Sequence, residues 1–291
     1  MRRPPLSLVC AMATNAVLLL IIQLKCGPAA PKPAAPSVAS HATAPSVASR
    51  ATAPSVASRA TEAAQLARWY AANGDLFDGS RREWRGLRDR EGQIMLDIGA
   101  NTGIFAHGLL QKFPLARVVA FEPIPRYADF IRGHALSQTD RLTVECLALG
   151  NDERLTKHTL RMDKQNLGWN TLVQSDTIIE CAECMERLEI SSVAFDTYNL
   201  HARWPIKSIV FVKIDVEGYE FRVLQGMRGF LTAAALAKRL PLMLIEIAWG
   251  PSKHPHWAEE AETLEWLISL GYHRPHYEVA STRDVWFVPL A

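Results

Sequence analysis

The sequence predicts an α/β fold, doubly wound around a mainly parallel sheet, preceded by a membrane-spanning segment and a disordered stem. Three observations lead there. From residue 94 onward, apolar runs of strand length alternate with segments of helical period. Two of those runs, at 94–98 and 209–214, carry an acid at their end and lead into a glycine turn. The first sixty residues hold one long uncharged stretch and then a nine-residue repeat.

Leu6–Leu24 contains no charged residue. Its 19 positions compare with the roughly 20 needed to span a bilayer. Arg2 and Arg3 precede it and Lys25 follows. A short basic N-terminus stays in the cytosol and puts the rest on the far side. Residues 1–25 therefore read as a signal anchor, and the localisation as the ER or Golgi with a lumenal domain. A cleaved signal peptide and an organelle transit peptide are the competing readings. The unbroken run Val17–Ile22 suits a membrane better than an amphipathic import helix.

Residues 26–61 read as a linker. Ala35–Thr43, Ala44–Thr52 and Ala53–Thr61 repeat as APSVASHAT, APSVASRAT and APSVASRAT. They lack the large apolar residues a packed repeat needs, so an extended, partly polyproline-II stem is expected. Six of the 32 basic residues and none of the 30 acids lie in residues 1–61. The remainder, 62–291, is the expected enzyme domain; it holds 26 basic residues against 30 acids, a net −4. An acidic domain argues against a nucleic-acid partner.

There are five cysteines. Cys146 falls in an apolar run and reads as a small buried hydrophobe. Cys181 and Cys184 are spaced as a zinc half-site, a redox pair or a local disulfide. With no second such pair, no metal site is assigned.

The first strand ends in Asp97-Ile98-Gly99-Ala100-Asn101-Thr102-Gly103, and helical spacing starts at Ile104. Such a turn presents backbone N–H groups at a helix N-terminus. A dinucleotide turn has three glycines and takes a pyrophosphate. Here an acid precedes the first glycine and Asn101 replaces the second. An acid would repel a pyrophosphate and suits a cationic ligand. S-adenosylmethionine has an ammonium, a sulfonium and a carboxylate, so Asp97 faces its cationic side and the N–H groups take its carboxylate. Strand two, Ala116–Phe121, ends at Glu122, placed to hold the ribose hydroxyls.

Helices are expected at Glu62–Tyr70, at Thr102–Lys112 up to Pro114, and at Arg126–Leu136 behind Pro123 and Pro125. Leu142–Leu149 reads as strand three. Residues 150–200 break the alternation, with strand-like pieces at Lys157–Met162 and Leu188–Val193 around a polar loop. This insertion is a natural substrate cover, with Trp169 lining the pocket. In Ile209–Glu220, Lys213 and Asp215 share one face of a central strand, and Glu217-Gly218 forms the turn. Leu242–Ile247 carries Glu246 near its end. Trp257–Leu270 is an amphipathic helix, and His273–Val279 with Asp284–Val288 forms a last strand pair.

With these blocks in view, the chain resembles the FkbM-type methyltransferases. The matching stretches are LDIGANTG at 96–103, AFEPIP at 120–125 and VKIDVEGYEFRVLQGM at 212–227, with FDTY at 195–198 and LIEI at 244–247. The resemblance implies a seven-stranded Rossmann-like methyltransferase sheet and S-adenosylmethionine as cofactor. It also implies O-methylation of a hydroxyl on a sugar, glycan or small metabolite. Carried over by motif, Asp97, Gly99, Ala100, Asn101, Gly103 and Glu122 hold the cofactor. Lys213, Asp215, Glu217 and Glu246 surround the acceptor. An alcohol needs a base at neutral pH, and Asp215 or Glu217 is the expected one. A divalent metal on Asp215 and Glu246, and a purely structural Lys213–Asp215 pair, are the alternatives. An inactive lumenal binding module is the alternative of a different class.

Overall fold

The computed structural model describes residues 56–164, 166–168, 170–173, 185–202, 204–247, 257–275 and 283–290. The expected membrane segment, the first two repeats, Trp169, Cys181 and Cys184 lie outside them. Among the described residues, no helix is long and apolar enough to cross a membrane.

Helix α1 (Val56–Ala72) starts inside the third repeat, six residues before the expected Glu62. Strand β1 (Ile94–Ile98) is buried along its whole length. Helix α2 (Ile104–Lys112) begins behind Gly103, whose φ of 82° suits a residue without a Cβ. Then come β2 (Arg117–Phe121), α3 (Pro125–Gly133, opening on a proline) and β3 (Leu142–Glu145).

The expected strand Leu142–Leu149 is two strands. Beyond β3, the chain turns and β4 (Ala148–Gly150) joins a second sheet. One apolar run serves two layers because Leu147 is fully buried at the bend between them. Cys146 at this bend is not a free hydrophobe as expected: it is half-buried and disulfide-bonded.

The insertion forms that second sheet with β5 (Thr156–Asp163), β6 (Asn170–Thr171) and β7 (Met185–Ala194), in the order β4-β7-β5-β6. Next follow α4 (Phe195–Ala202), β8 (Ile209–Ile214), α5 (Glu220–Gly226), α6 (Arg228–Leu236) and β9 (Leu242–Ile247). The chain continues through α7 (Trp257–Leu270) and β10 (Arg283–Phe287).

The main sheet runs β10-β9-β8-β1-β2-β3 and is parallel except for β10. Among the described residues it has six strands where seven are expected. Where the partner of the last strand would lie, a single antiparallel bridge joins Tyr272 to Pro289. Both faces are covered by core clusters. Ile98, Phe121, Val212 and Ile245 lie in one, and Met95, Phe105, Val118 and Phe211 in the other.

Register sets the site. Asp97 stands beside Lys213 on β8, and Asp284 on β10 stands beside Glu246 on β9. Because alternate residues share a face, Asp215 follows Lys213 on its side of the sheet. Five charged side chains thus meet at the C-terminal edge of the strands, where α/β sheets bind ligands.

Candidate active site

A cavity of about 250 Å³ opens at that edge. It is lined by the β1 turn, by Glu122 and Ile124 after β2, by Lys213, Asp215 and Glu217, and by Gly168 and Asn170 of the insertion.

The β1 turn is held from inside. The N–H groups of Gly99 and Ala100 donate to the Phe121 carbonyl, both at 3.0 Å. The Asn101 N–H donates to Glu122 Oε2 at 2.7 Å, and the Gly103 N–H to the Ala100 carbonyl at 2.7 Å. These amides bond within the turn, and Gly99, Ala100 and Asn101 line the cavity. A tight loop satisfies its own donors first. They also contribute shape. A Cβ on Gly99 would stand 1.7 Å from the Asp215 carbonyl, and φ at Gly99 is +81°. Only glycine allows the two turns to lie in contact.

Asn101 lines the cavity, and its side-chain oxygen is buried with no hydrogen-bond partner among the described residues. Its Nδ2 donates to the Leu167 carbonyl at 2.9 Å. Asn170 Nδ2 donates to the same oxygen at 2.7 Å and the Tyr127 hydroxyl at 3.3 Å. The insertion is pinned to the β1 turn through one main-chain carbonyl.

Glu122 is 4% exposed, and both its oxygens are engaged, Oε1 accepting from the Ile124 N–H at 2.8 Å. Burial pushes its carboxyl up to about 8, with the amide donors and Lys213 opposing and Asp97 adding. Asp97 is fully buried, and neither carboxylate oxygen has a hydrogen-bond partner among the described residues. Burial raises its pKa and Lys213 opposes. Lys213 Nζ lies 3.5 Å from Asp97 Oδ1 and 2.9 Å from Asp215 Oδ2, and donates to the Gly99 carbonyl at 3.4 Å. Burial pulls the ammonium down, but the Asp215 and Asp97 charges outweigh it and keep Lys213 charged.

Glu217 adopts a left-handed φ of 55° ahead of Gly218. Two groups brace that turn. Glu220 Oε1 accepts from the Val216 N–H at 3.0 Å and the Gly218 N–H at 3.1 Å. The Thr171 hydroxyl donates to the Glu217 carbonyl at 2.5 Å while accepting from the Val173 N–H at 3.0 Å. Burial, then Asp215 and Glu220, push Glu217 up to about 9. Burial, then Asp215 and Glu217, push Glu246 up to about 11. Asp215, Glu217 and Glu246 each bring an oxygen within 4.8 Å of the others. The spacing of the trio is compatible with a divalent cation.

The structure thus gathers Lys213, Asp215, Glu217, Glu246 and Glu122 around one cavity, with Asp97 fully buried beside Lys213. Sequence reasoning missed Glu220, Thr171 and Asp284. Glu220 was visible as a lone acid heading the apolar helix face Phe221–Leu224. Asp284 was visible from its alternation with Val285. Thr171 carried no signal, because its partner lies 46 residues away.

Comparison with known proteins adds three findings. The profile of the family described as Methyltransferase FkbM domain matches residues 97–274. "Methyltransferase 1" of Beauveria bassiana (strain ARSEF 2860) is 24% identical over 146 residues, 46% of this chain. The aligned stretch spans 58% of that relative's length, a little over half. Among solved structures, a TehB-like SAM-dependent methyltransferase from Corynebacterium glutamicum ATCC 13032 aligns with a TM-score of 0.38 and 14% identity. That alignment covers 79% of this chain and 97% of the other. A SAM-dependent methyltransferase from Aquifex aeolicus aligns with a TM-score of 0.36 and 12% identity, over 77% and 97%.

Proposed function

The chain belongs to the FkbM methyltransferase family, and from that membership we propose that it transfers a methyl group from S-adenosylmethionine to a hydroxyl oxygen of a sugar or glycan. The observation that carries the reading is the Lys213–Asp215 ion pair on the cavity wall, with the fully buried Asp97 3.5 Å from the same ammonium.

The residues fit the cofactor. Asp215 on the cavity wall, with Asp97 buried on the other side of Lys213, puts negative charge at the β1–β8 end of the cavity, which suits a cationic group. Glu122 stands at the end of β2, where this architecture grips a ribose. When bound, S-adenosylmethionine supplies an activated methyl and its own leaving group. The chain's part is to position and to move one proton. Lys213 stays charged and balances Asp215. Glu217 and Glu246 hold their protons through neutral pH, so they act as donors that orient the acceptor. Asp215 is left as the base that takes the proton of the acceptor hydroxyl.

The acceptor class rests on location. The uncharged segment Leu6–Leu24 and the repeats fit a stem behind a membrane anchor. The disulfide at Cys146 suits an oxidising lumen. A single-pass protein of the ER or Golgi would meet glycans there.

The test is an assay of the full-length chain with S-adenosylmethionine and a panel of methyl glycosides, read by mass spectrometry of the product. Methylation on oxygen, with turnover lost in Asp215→Asn, is expected. Methyl found only on nitrogen or carbon overturns the acceptor chemistry. Activity abolished by a chelator and restored by Mg²⁺ moves the three acids from proton transfer to cation binding.

A further inference from the structure

The family match begins at residue 97, yet the cavity wall does not. Trp69 on α1 and Leu76 just beyond it both line the cavity. We propose that α1 is part of the cofactor site, with Trp69 as the apolar wall against the adenosine moiety of S-adenosylmethionine. The inference rests on the cofactor reading above and adds a binding residue to it.

The segment is fastened on either side of Trp69. Leu66 is 4% exposed and packs with Ile124, Tyr127 and Leu160. The Tyr70 hydroxyl lies 2.9 Å from His107 Nδ1, whose Nε2 lies 2.8 Å from Ser137 Oγ. The Phe77 ring stands 5.1 Å from that of Phe105. Between these anchors the indole reaches the insertion. A Cβ on Gly168 would stand 3.4 Å from Trp69 Cζ2. Leu76, by contrast, is 56% exposed, an apolar side chain left open at the cavity.

Position along the sheet identifies the part of the ligand. Trp69 packs in the same cluster as Ile124 and Ala148, on the β2 side of the cavity. Lys213 belongs to β8 and Asp215 directly follows it, with β1 in between. The ribose-holding Glu122 lies next to Ile124. The indole is therefore placed for the nucleoside and not for the amino-acid end, where charges dominate. A flat aromatic wall on a nucleoside adds dispersion and stacking without a competing charge.

The experiment is calorimetric titration of the full-length chain with S-adenosylhomocysteine and with 5′-methylthioadenosine, which lacks the amino-acid end. Trp69→Ala is expected to weaken both by about tenfold and by the same factor, and Trp69→Phe by about threefold or less. In the wild type, tryptophan emission changes on adding S-adenosylhomocysteine, and Trp69→Phe loses part of that change while melting at the wild-type temperature. Unchanged affinity in Trp69→Ala overturns the inference. A loss confined to S-adenosylhomocysteine overturns the nucleoside assignment. Failure of the wild type to bind either compound is a different result, and it overturns the cofactor reading itself.

Discussion

Lys213 is the residue on which the charge balance of the site turns. It is 8% exposed and is the one cation that the buried Asp97 and the half-buried Asp215 face among the described residues. Lys213→Met leaves the buried Asp97 without a counter-charge, which costs about 3 kcal/mol. Urea unfolding is expected to show that loss, and turnover is expected to fall at least about a hundredfold if Lys213 holds the base. The neighbouring acids set a pH dependence. Glu122 is pushed up to about 8 and Glu217 to about 9, from an ordinary value near 4.5. A carboxyl with a raised folded pKa binds its proton more tightly folded than unfolded, so it stabilises at low pH. That stability fades as pH rises from about 4.5 through about 9. The urea midpoint of the ligand-free protein is expected to be lower at pH 9 than at pH 6. A flat or rising profile would show that these acids are ionised in the fold.

At the scale of elements, the site consists of turns that brace each other. Thr171 bonds the Glu217 carbonyl and receives the Val173 N–H. Thr171→Val removes the hydroxyl but keeps the shape, stranding two buried backbone groups. A loss of about 2 kcal/mol is expected, with Thr171→Ser near wild type, both read by thermal unfolding. Gly99→Ala places a Cβ 1.7 Å from the Asp215 carbonyl. S-adenosylhomocysteine binding is expected to vanish in that variant, by calorimetry. Much at this scale was legible in the sequence. Helix α7 and strand β9 have the bounds expected of them, because proline, glycine and polar residues punctuate their apolar patterns. Asp97, Lys213, Asp215 and Glu217 were legible as charges stranded in apolar runs. The division of Leu142–Leu149 was not, since a continuous apolar run carries no mark of which sheet buries each half. Nor was the Asn101–Leu167 contact, because a hydrogen bond to a distant main-chain oxygen imposes no pattern on either segment.

Across the whole molecule, two sheets meet at the bend that holds Leu147 and the disulfide-bonded Cys146. That bond should protect the thiol. In mass spectrometry of the native protein, Cys146 is expected to resist iodoacetamide until a reductant is added. The reduced protein is expected to melt below the oxidised one, by an amount in the range of about 2–5 kcal/mol. Alkylation of Cys146 without reduction would remove both the bond and its support for a lumenal site.

The insertion grips the β1 turn through the Leu167 carbonyl, an atom every amino acid possesses. The side chain at 167 can consequently vary among apolar residues that fit its pocket without losing that contact. The welded turns beneath offer no such freedom, because a single methyl at Gly99 forces them apart. An engineer seeking a new acceptor preference should diversify Leu172 on the cavity wall and leave Asn170, Thr171 and the strand ends untouched.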